Sequence, residues 1–456
     1  MVLKSINPSN GEILKDFSEN SEKEVKDKLN KSTKNFADWK NITFEKKRNL
    51  LKNVSTILKK NKNKYARLMA LEMGKPFAQA VAEVEKCAWV CDFYVENGCN
   101  FLKKELIKTD ADLSYVQYTP LGVVLGIMPW NFPFWQVFRF AVPSLIAGNT
   151  VLLKHSSNVP QCALAIEDIF KQAGFKKNEF QTLLISSKKI SNIIEDDRVA
   201  AVSLTGSTIA GMKTAERTGK NIKKTVLELG GSDPFIVLDD ADLHYTVDMA
   251  VKGRMINNGQ SCIAAKRFIV FDDIFDKFQE LLTKKISNLR VGNPLDKNVD
   301  IGPLATKDIV DQIDRQVKKS VEMGAKVLVG GKKLDREGFF YLPTVITNIK
   351  EEMPVYKEET FGPVAAIIKV KDENEAVKIA NDTCYGLGAS IWTHDDKKAE
   401  NLSKYIEAGN VFINEIVKSD PRLPFGGIKK SGFGRELSYY GIKEFVNIQT
   451  VYIKKT

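Results

Sequence analysis

A change of periodicity at Leu121 constrains this chain more than any other feature. Before it, residues from about 21 to 108 carry apolar positions at helical spacing; over 44–60 these are Leu50, Leu51, Val54, Ile57 and Leu58. After it come short apolar runs, VVLGI, TVLLK, TLLIS and VAAVSLTGS, separated by helical stretches ending at Ala147, covering 160–173 and starting near Ile209. Strands that are apolar on both faces and alternate with helices predict a parallel sheet with helices on both faces. The alternation stops at Gly230–Gly231 and resumes with PFIVLDD, a helix over 244–257 and RFIVFDD, which predicts a second α/β domain. A chain of 456 residues has room for about three domains at roughly 150 residues each. YVQYT, closed by Pro120, and NIQTVYIKK near the C-terminus read as further strands that sequence order alone does not assign to either unit.

Composition narrows the function classes. At 43% apolar and 27% charged residues, wholesale disorder is excluded, and no short repeat suggests a collagen-like or solenoid architecture. The start, MVLKSINPSNGEI, lacks the apolar core of a signal peptide. The most apolar stretch, Leu121 to Leu153, is interrupted by Pro129, Pro133, Arg139, Pro143 and Gly148, against a membrane span. The net charge of +11 has no aromatic-basic interleaving, so a solvated basic surface is expected, and no nucleic-acid partner. Six scattered cysteines form no disulfide framework; Cys87 and Cys91, at helical spacing, read as buried thiols. None of His155, His244 and His394 lies within five residues of a cysteine or another histidine, so no metal site is expected. A cytoplasmic enzyme whose proton traffic runs through a carboxylate fits this pattern.

Three residues stand out chemically. Cys262 lies in NNGQSCIAAKR, where a turn brings backbone N–H groups that stabilise a thiolate or an oxyanion. Glu228, in TVLELGGSDP, ends an apolar run, and desolvation there raises a carboxyl toward the range of a general base. Asn131 sits between two prolines in PWNFP, which hold its amide in place as a donor. The junction LTGSTIAG offers Gly206, Ser207 and Gly211 at a helix N-terminus suited to a pyrophosphate, although it is not the G-x-G-x-x-G fingerprint. Each feature alone also has an ordinary structural reading: a core thiol, a cap, a turn.

In order, PWNFP, LTGS, LELGGSDP, GQSC, EETFGPV and LPFGGIKKSGFGRE resemble the aldehyde dehydrogenase superfamily over essentially the whole chain. Within it, the sequence looks most similar to the shorter, bacterial-type succinate-semialdehyde dehydrogenases. The resemblance implies a Rossmann-like dinucleotide-binding domain from residues 1–100 and 121–230, a catalytic α/β domain over 231–432, and a small β oligomerisation arm from 101–120 and 433–456. It implies Cys262 as nucleophile, Asn131 with the Cys262 backbone N–H as oxyanion hole, and Glu228 as the base that hydrolyses the thioester. Members that pass the acyl group to coenzyme A lack this glutamate, so a non-acylating enzyme is implied.

For the cofactor, the resemblance implies contacts from Trp130, Lys154, Ser157, Gly206, Ser207, Glu359 and Phe361. Ser157 stands where NAD-preferring relatives carry a glutamate that grips the adenosine ribose, so NADP is expected to be preferred, with NAD accepted. Arg139 matches the arginine that binds the distal carboxylate of succinate semialdehyde; the alternative is that it pairs a structural carboxylate. Ser419 and the weaker Arg422, in KSDPRLPFGG, lie where the substrate loop closes. Two positions depart from relatives. Ile256 replaces a second arginine of the animal enzymes, and Ala264 replaces a cysteine that forms a regulatory disulfide there. A homodimer or homotetramer acting on a small aldehyde is expected. The alternatives are a broad-specificity aldehyde dehydrogenase and a non-catalytic structural or binding protein that keeps the fold.

Overall fold

Apart from Gly432–Phe433, the α/β strands on either side of Gly231 form separate sheets in the computed structural model, which describes residues 2–455. The first sheet has six strands in the order Gly432–Phe433, Lys224–Glu228, Val199–Thr205, Val123–Met128, Thr150–His155 and Phe180–Thr182. All pair in parallel except Gly432–Phe433, which runs antiparallel to Lys224–Glu228. The second sheet has seven, in the order Lys326–Val329, Thr344–Thr347, Val364–Val370, Ala265–Phe271, Asp233–Val237, Gly388–Trp392 and Asn410–Ile413. Only Lys326–Val329 is antiparallel in it. Thr150–His155 and Ala265–Phe271 are buried at every position, which explains why their sequences carry no polar face.

The long helices Phe44–Lys60 and Phe77–Phe101 pack against each other and against Trp135–Ala147, a helix buried at every residue. Cys87 and Cys91 lie inside this packing as buried thiols. Val446–Ile453 pairs antiparallel with Leu113–Pro120 over eight residues, and Glu105–Leu106 flanks the latter. Among the described residues no helix is long and apolar enough to cross a membrane.

Two local expectations change and one holds. The strand read in TLLIS is Phe180–Thr182, displaced toward the N-terminus. Leu183 keeps one bond to the Leu153 carbonyl, and the Leu184 N–H turns to the Asn20 side chain. Pro120 ends its strand as expected, forming the terminal pair with Val446. Phe433, grouped above with the arm, pairs with Leu227 in the first sheet, and the arm's own strand begins at Val446. An N-terminal hairpin, Val2–Ile6 with Ile13–Ser18, was not legible.

Candidate active site

The helix Leu243–Met255 delivers the chain into a tight turn before Cys262. Asn257, Asn258 and Gly259 have φ of 54°, 58° and 75°, three successive left-handed residues. Asparagine tolerates this region better than other side chains, and each non-glycine excursion still costs about 1–3 kcal/mol unless the surroundings hold it. Here they do. Asn258 Nδ2 donates to the carbonyls of Gly74 and Pro303, each at 2.9 Å, and its Oδ1 accepts from Gly302 N–H at 2.8 Å. Gln260 Oε1 accepts from Ala305 N–H at 2.9 Å. At Gly259 a Cβ would lie 2.3 Å from the Gly362 carbonyl oxygen, so only glycine fits. On the far side, Lys266 Nζ donates to the Ser261 and Cys262 carbonyls at 2.9 and 2.7 Å. The thiol thus sits on a turn pinned from both ends, immediately before the strand Ala265–Phe271.

Asn131 is held against the same turn. Its Nδ2 donates to the Gln260 carbonyl at 3.1 Å, while Asn257 Nδ2 donates to the Asn131 carbonyl at 2.7 Å. One Asn131 amide N–H is thereby fixed and the second is left to act. Among the described residues the Cys262 backbone N–H donates to no acceptor, so both groups expected of an oxyanion hole have a free donor. His155, buried, braces the loop behind Asn131. Its Nδ1 accepts from Ser156 N–H at 2.9 Å, so Nε2 carries the proton and donates to Pro133 O at 2.8 Å. Burial pushes its pKa down to about 4, which keeps the ring neutral. Burial pushes the Cys262 thiol up to about 12, with Arg139 and Lys266 opposing the shift.

Two clefts meet at Cys262. The larger, about 600 Å³, brings together Trp130, Asn131, Gly206, Ser207, Glu359 and Phe361. Trp130 and Phe361 meet edge to face at 5.7 Å. Ser207 caps the helix Thr208–Lys220 by accepting from Ala210 N–H at 3.3 Å, which leaves its hydroxyl proton free at a helix N-terminus. The Gly206 N–H is already donated to the Glu228 carbonyl at 3.0 Å, so Gly206 contributes room rather than a donor. Glu359 accepts from Gly231 N–H at 3.1 Å and has Lys266 Nζ at 3.6 Å.

Lys154 and Ser157 are not in the lining of this cleft. Lys154 is buried at the end of its strand, with no carboxylate within 4.0 Å among the described residues. Desolvation lowers its pKa to about 8. A buried ammonium without a counter-ion is costly, and an anionic ligand beside it removes that cost. The residues present therefore fit a dinucleotide whose phosphates approach Ser207 and Lys154.

The smaller cleft, about 210 Å³, reaches Cys262 along a wall that includes Phe132, Trp135, Ile256, Val417 and Phe425. Arg139, Ser419 and Lys86 also line it, and Gln136 borders both clefts. Ser419 Oγ accepts from Trp135 Nε1 at 3.0 Å and from Lys86 Nζ at 2.9 Å.

Three expected catalytic and substrate residues also sit differently from expectation. Arg139 reaches the cleft, but its guanidinium is ion-paired with the equally buried Glu436. It also donates to Thr205 Oγ1 at 3.3 Å and lies 4.7 Å over the Phe425 ring. A buried guanidinium requires a counter-charge, and Glu436 supplies it, so Arg139 is no free cation. Arg422 lies outside the cleft. It is mostly exposed and forks onto Asp420 at 2.9 and 2.7 Å, because that carboxylate is two residues away and the cleft is not. Glu228 lies in neither cleft: neither carboxyl oxygen has a hydrogen-bond partner, and Oε1 lies 2.8 Å from where a Cβ on Gly426 would stand. Burial holds its carboxyl well above the usual range, against Arg139, which pulls it down.

The sequence reading did not single out Asn257, Asn258 or Gln260 as positioning groups, although NNGQ was legible as a turn. Lys86 and Glu436 carried no local signal, since each acts through partners distant in sequence.

Residues 1–451 match the aldehyde dehydrogenase family. The chain is 51% identical over 453 residues to a probable NADP(+) succinate-semialdehyde dehydrogenase of Synechocystis sp., covering 99% of this chain and 100% of that one. It is 48% identical over 456 residues to NADP(+) succinate-semialdehyde dehydrogenase 1 of Mycobacterium bovis, with the same coverage. The crystal structure of succinic semialdehyde dehydrogenase from Streptococcus pyogenes in complex with NADP+ superposes with a TM-score of 0.97 at 39% identity. It covers 99% of this chain and 100% of that one. With a cysteine on a pinned turn where two clefts meet, and this likeness end to end, the chain belongs to the aldehyde dehydrogenase family.

Proposed function

We propose that the protein oxidises succinate semialdehyde to succinate with NADP as the preferred acceptor, through a covalent intermediate on Cys262. The observation that carries this reading is the junction at Cys262 of a larger cleft that takes in the helix N-terminus at Ser207 and a smaller, mostly apolar one with cationic groups on its wall. The names of relatives that span this chain completely point the same way.

The aldehyde enters the smaller cleft with its carbonyl toward Cys262. Attack by sulfur forms the C–S bond as the carbonyl π pair moves to oxygen, and the thiol proton, retained in the resting enzyme by burial, passes to solvent water in the open cleft. The carbonyl oxygen becomes an oxyanion held by Asn131 Nδ2 and the Cys262 N–H. One such donor is worth on the order of 10²–10³ in rate. Bound NADP supplies the acceptor for the hydride that converts this thiohemiacetal into a thioester. Glu228 then takes a proton from the water that cleaves the thioester, releasing succinate and the free thiol. That role requires its side chain to turn from Gly426 toward Cys262, leaving a pocket in which its oxygens have no partner. Water in the opened site lowers its pKa into a base's range.

The first sheet with its helices binds the dinucleotide in this reading, and the second carries the nucleophile. The antiparallel arm mediates a homodimer or homotetramer in the cytoplasm. Ile448, Tyr452 and Ile453 on its outer strand are exposed, and an unpaired apolar edge of this kind favours a second copy. The test is kcat/KM for succinate semialdehyde against butyraldehyde, each with NADP and NAD. A strong preference for the charged aldehyde and for NADP is expected. Equal use of both aldehydes would replace this reading with a broad-specificity enzyme.

A further inference from the structure

We infer that Lys266 is a positioning residue for the oxyanion hole: it fixes the peptide between Ser261 and Cys262 so that the Cys262 N–H faces the reacting carbonyl. This rests on the covalent route proposed above and adds to it a buried cation that lines neither cleft.

Lys266 belongs to the strand Ala265–Phe271, behind the turn that carries the thiol, and is buried. Its Nζ donates to the Ser261 carbonyl at 2.9 Å, to the Cys262 carbonyl at 2.7 Å and, at 3.4 Å, to that of Ala264. Glu359 Oε1 stands 3.6 Å away. These four partners are all acceptors, which suits an ammonium with three donors and no lone pair. Burial pushes the Lys266 pKa down, and Glu359 and Asp233 oppose that shift. A costly buried charge is therefore spent on three carbonyls of the nucleophile's own turn.

Peptide planarity carries this hold to the oxyanion hole. In a trans peptide the C=O and N–H of one unit point in opposite directions. The Ser261 carbonyl is directed at Lys266, so the Cys262 N–H of the same unit points away from it. Cys262 lines both clefts and Lys266 neither, so that N–H is turned to the cleft side. Without Lys266 the Ser261 carbonyl would rely on the turn bond from Ala264 N–H, a longer contact at 3.2 Å. A positive charge at the carbonyl oxygen also polarises the peptide and strengthens its N–H as a donor. The Cys262 carbonyl is confined on the side of Gly231, where a Cβ would lie 2.6 Å from it. Asn131, the other donor, is held by a different carbonyl, that of Gln260.

The test treats wild type, Lys266→Met, Lys266→Gln and Lys266→Arg with the trifluoromethyl ketone analogue of succinate semialdehyde. The Cys262 sulfur adds to its carbonyl carbon, the π pair moves to oxygen and the thiol proton passes to water. That carbon carries no hydrogen, so no hydride leaves and the adduct persists. Fluorine NMR against pH then reads the ionisation of the adduct hydroxyl. A donor to the oxyanion favours the ionised form, so weakening it raises the adduct pKa. Lys266→Met should raise it by about two units, matching a loss on the order of 10² in rate for one donor, and Lys266→Gln by about one. First-turnover NADPH formation from succinate semialdehyde, with enzyme in excess, should slow by corresponding factors. Lys266→Arg keeps the charge and should restore most of both. Lys266→Gln carries the test if the Met variant folds poorly. An adduct pKa within about half a unit of wild type in the Met and Gln variants overturns the assignment even where turnover has fallen, since a lysine that only packs the turn slows the enzyme without moving the oxyanion. A wild type that forms neither this adduct nor NADPH from the aldehyde overturns the covalent route, and the role of Lys266 with it.

Discussion

Cofactor choice can be worked through from two side chains. Replacing Ser157 by glutamate removes a hydroxyl that donates to a 2′-phosphate, a hydrogen bond to a charged group worth about 1.5–3 kcal/mol. It also sets a carboxylate against that phosphate: at about 4 Å and an effective dielectric near 20, two unit charges repel by about 4 kcal/mol before solvent screening. Ser157 is only half-buried, so a good part of that repulsion is screened. Toward NAD the same carboxylate accepts from the free ribose hydroxyl, a gain of about 1.5–3 kcal/mol. Taken together at about 1.4 kcal/mol per tenfold, Ser157→Glu should move kcat/KM for NADP over NAD by on the order of 10³ toward NAD. Lys154 adds a pH signature. Its pKa is lowered to about 8, so it is charged below that pH and increasingly neutral above it. The NADP-over-NAD ratio of the wild type should therefore be highest below pH 8 and fall as pH rises through it. The assay is steady-state kinetics with both cofactors across this range. A wild type that prefers NAD, or a Ser157→Glu ratio within about threefold of wild type, refutes the reasoning.

Two further outcomes follow from the site's electrostatics. The Cys262 thiol, pushed up to about 12 by burial, should be alkylated by iodoacetamide in the cofactor-free enzyme at a rate that climbs about tenfold per pH unit across the neutral and mildly alkaline range; a plateau near the ordinary cysteine value of about 8.5 would contradict it. Arg139→Met leaves Glu436 buried without a counter-charge and should cost about 3–5 kcal/mol of stability, read as a lowered Tm; an unchanged Tm with selective loss of succinate semialdehyde turnover would make Arg139 a substrate ligand instead.

The architecture was legible because its signals are local. Buried strands show apolar centres, Val151–Leu153 and Phe268–Phe271, so Thr150–His155 and Ala265–Phe271 could be read directly despite Lys154, His155, Lys266 and Arg267 at their ends, and so could the helix Phe44–Lys60. Cys262 and Asn131 were legible because the turn and the prolines beside them are written within a few residues. The misreadings involve long-range pairing. Nothing near Arg139 announces that Glu436, about three hundred residues later, will neutralise it. Lys86 looks like any helical lysine until Ser419 and Trp135 close over it. The carboxyl of Glu228 was expected beside the thiol, yet the absence of a side chain at Gly426 gives it another place to lie. Local pattern thus identifies which groups exist; which of them remain free to act depends on contacts between segments far apart in the chain.

On the proposed route Cys262 carries an acyl group that Glu228 releases. Glu228→Gln, mixed with succinate semialdehyde and NADP and quenched in acid, should show by mass spectrometry a succinyl adduct on the Cys262 peptide. A burst of NADPH stoichiometric with enzyme should accompany it, followed by slow turnover. An unmodified Cys262 with steady-state turnover equal to wild type would contradict the account.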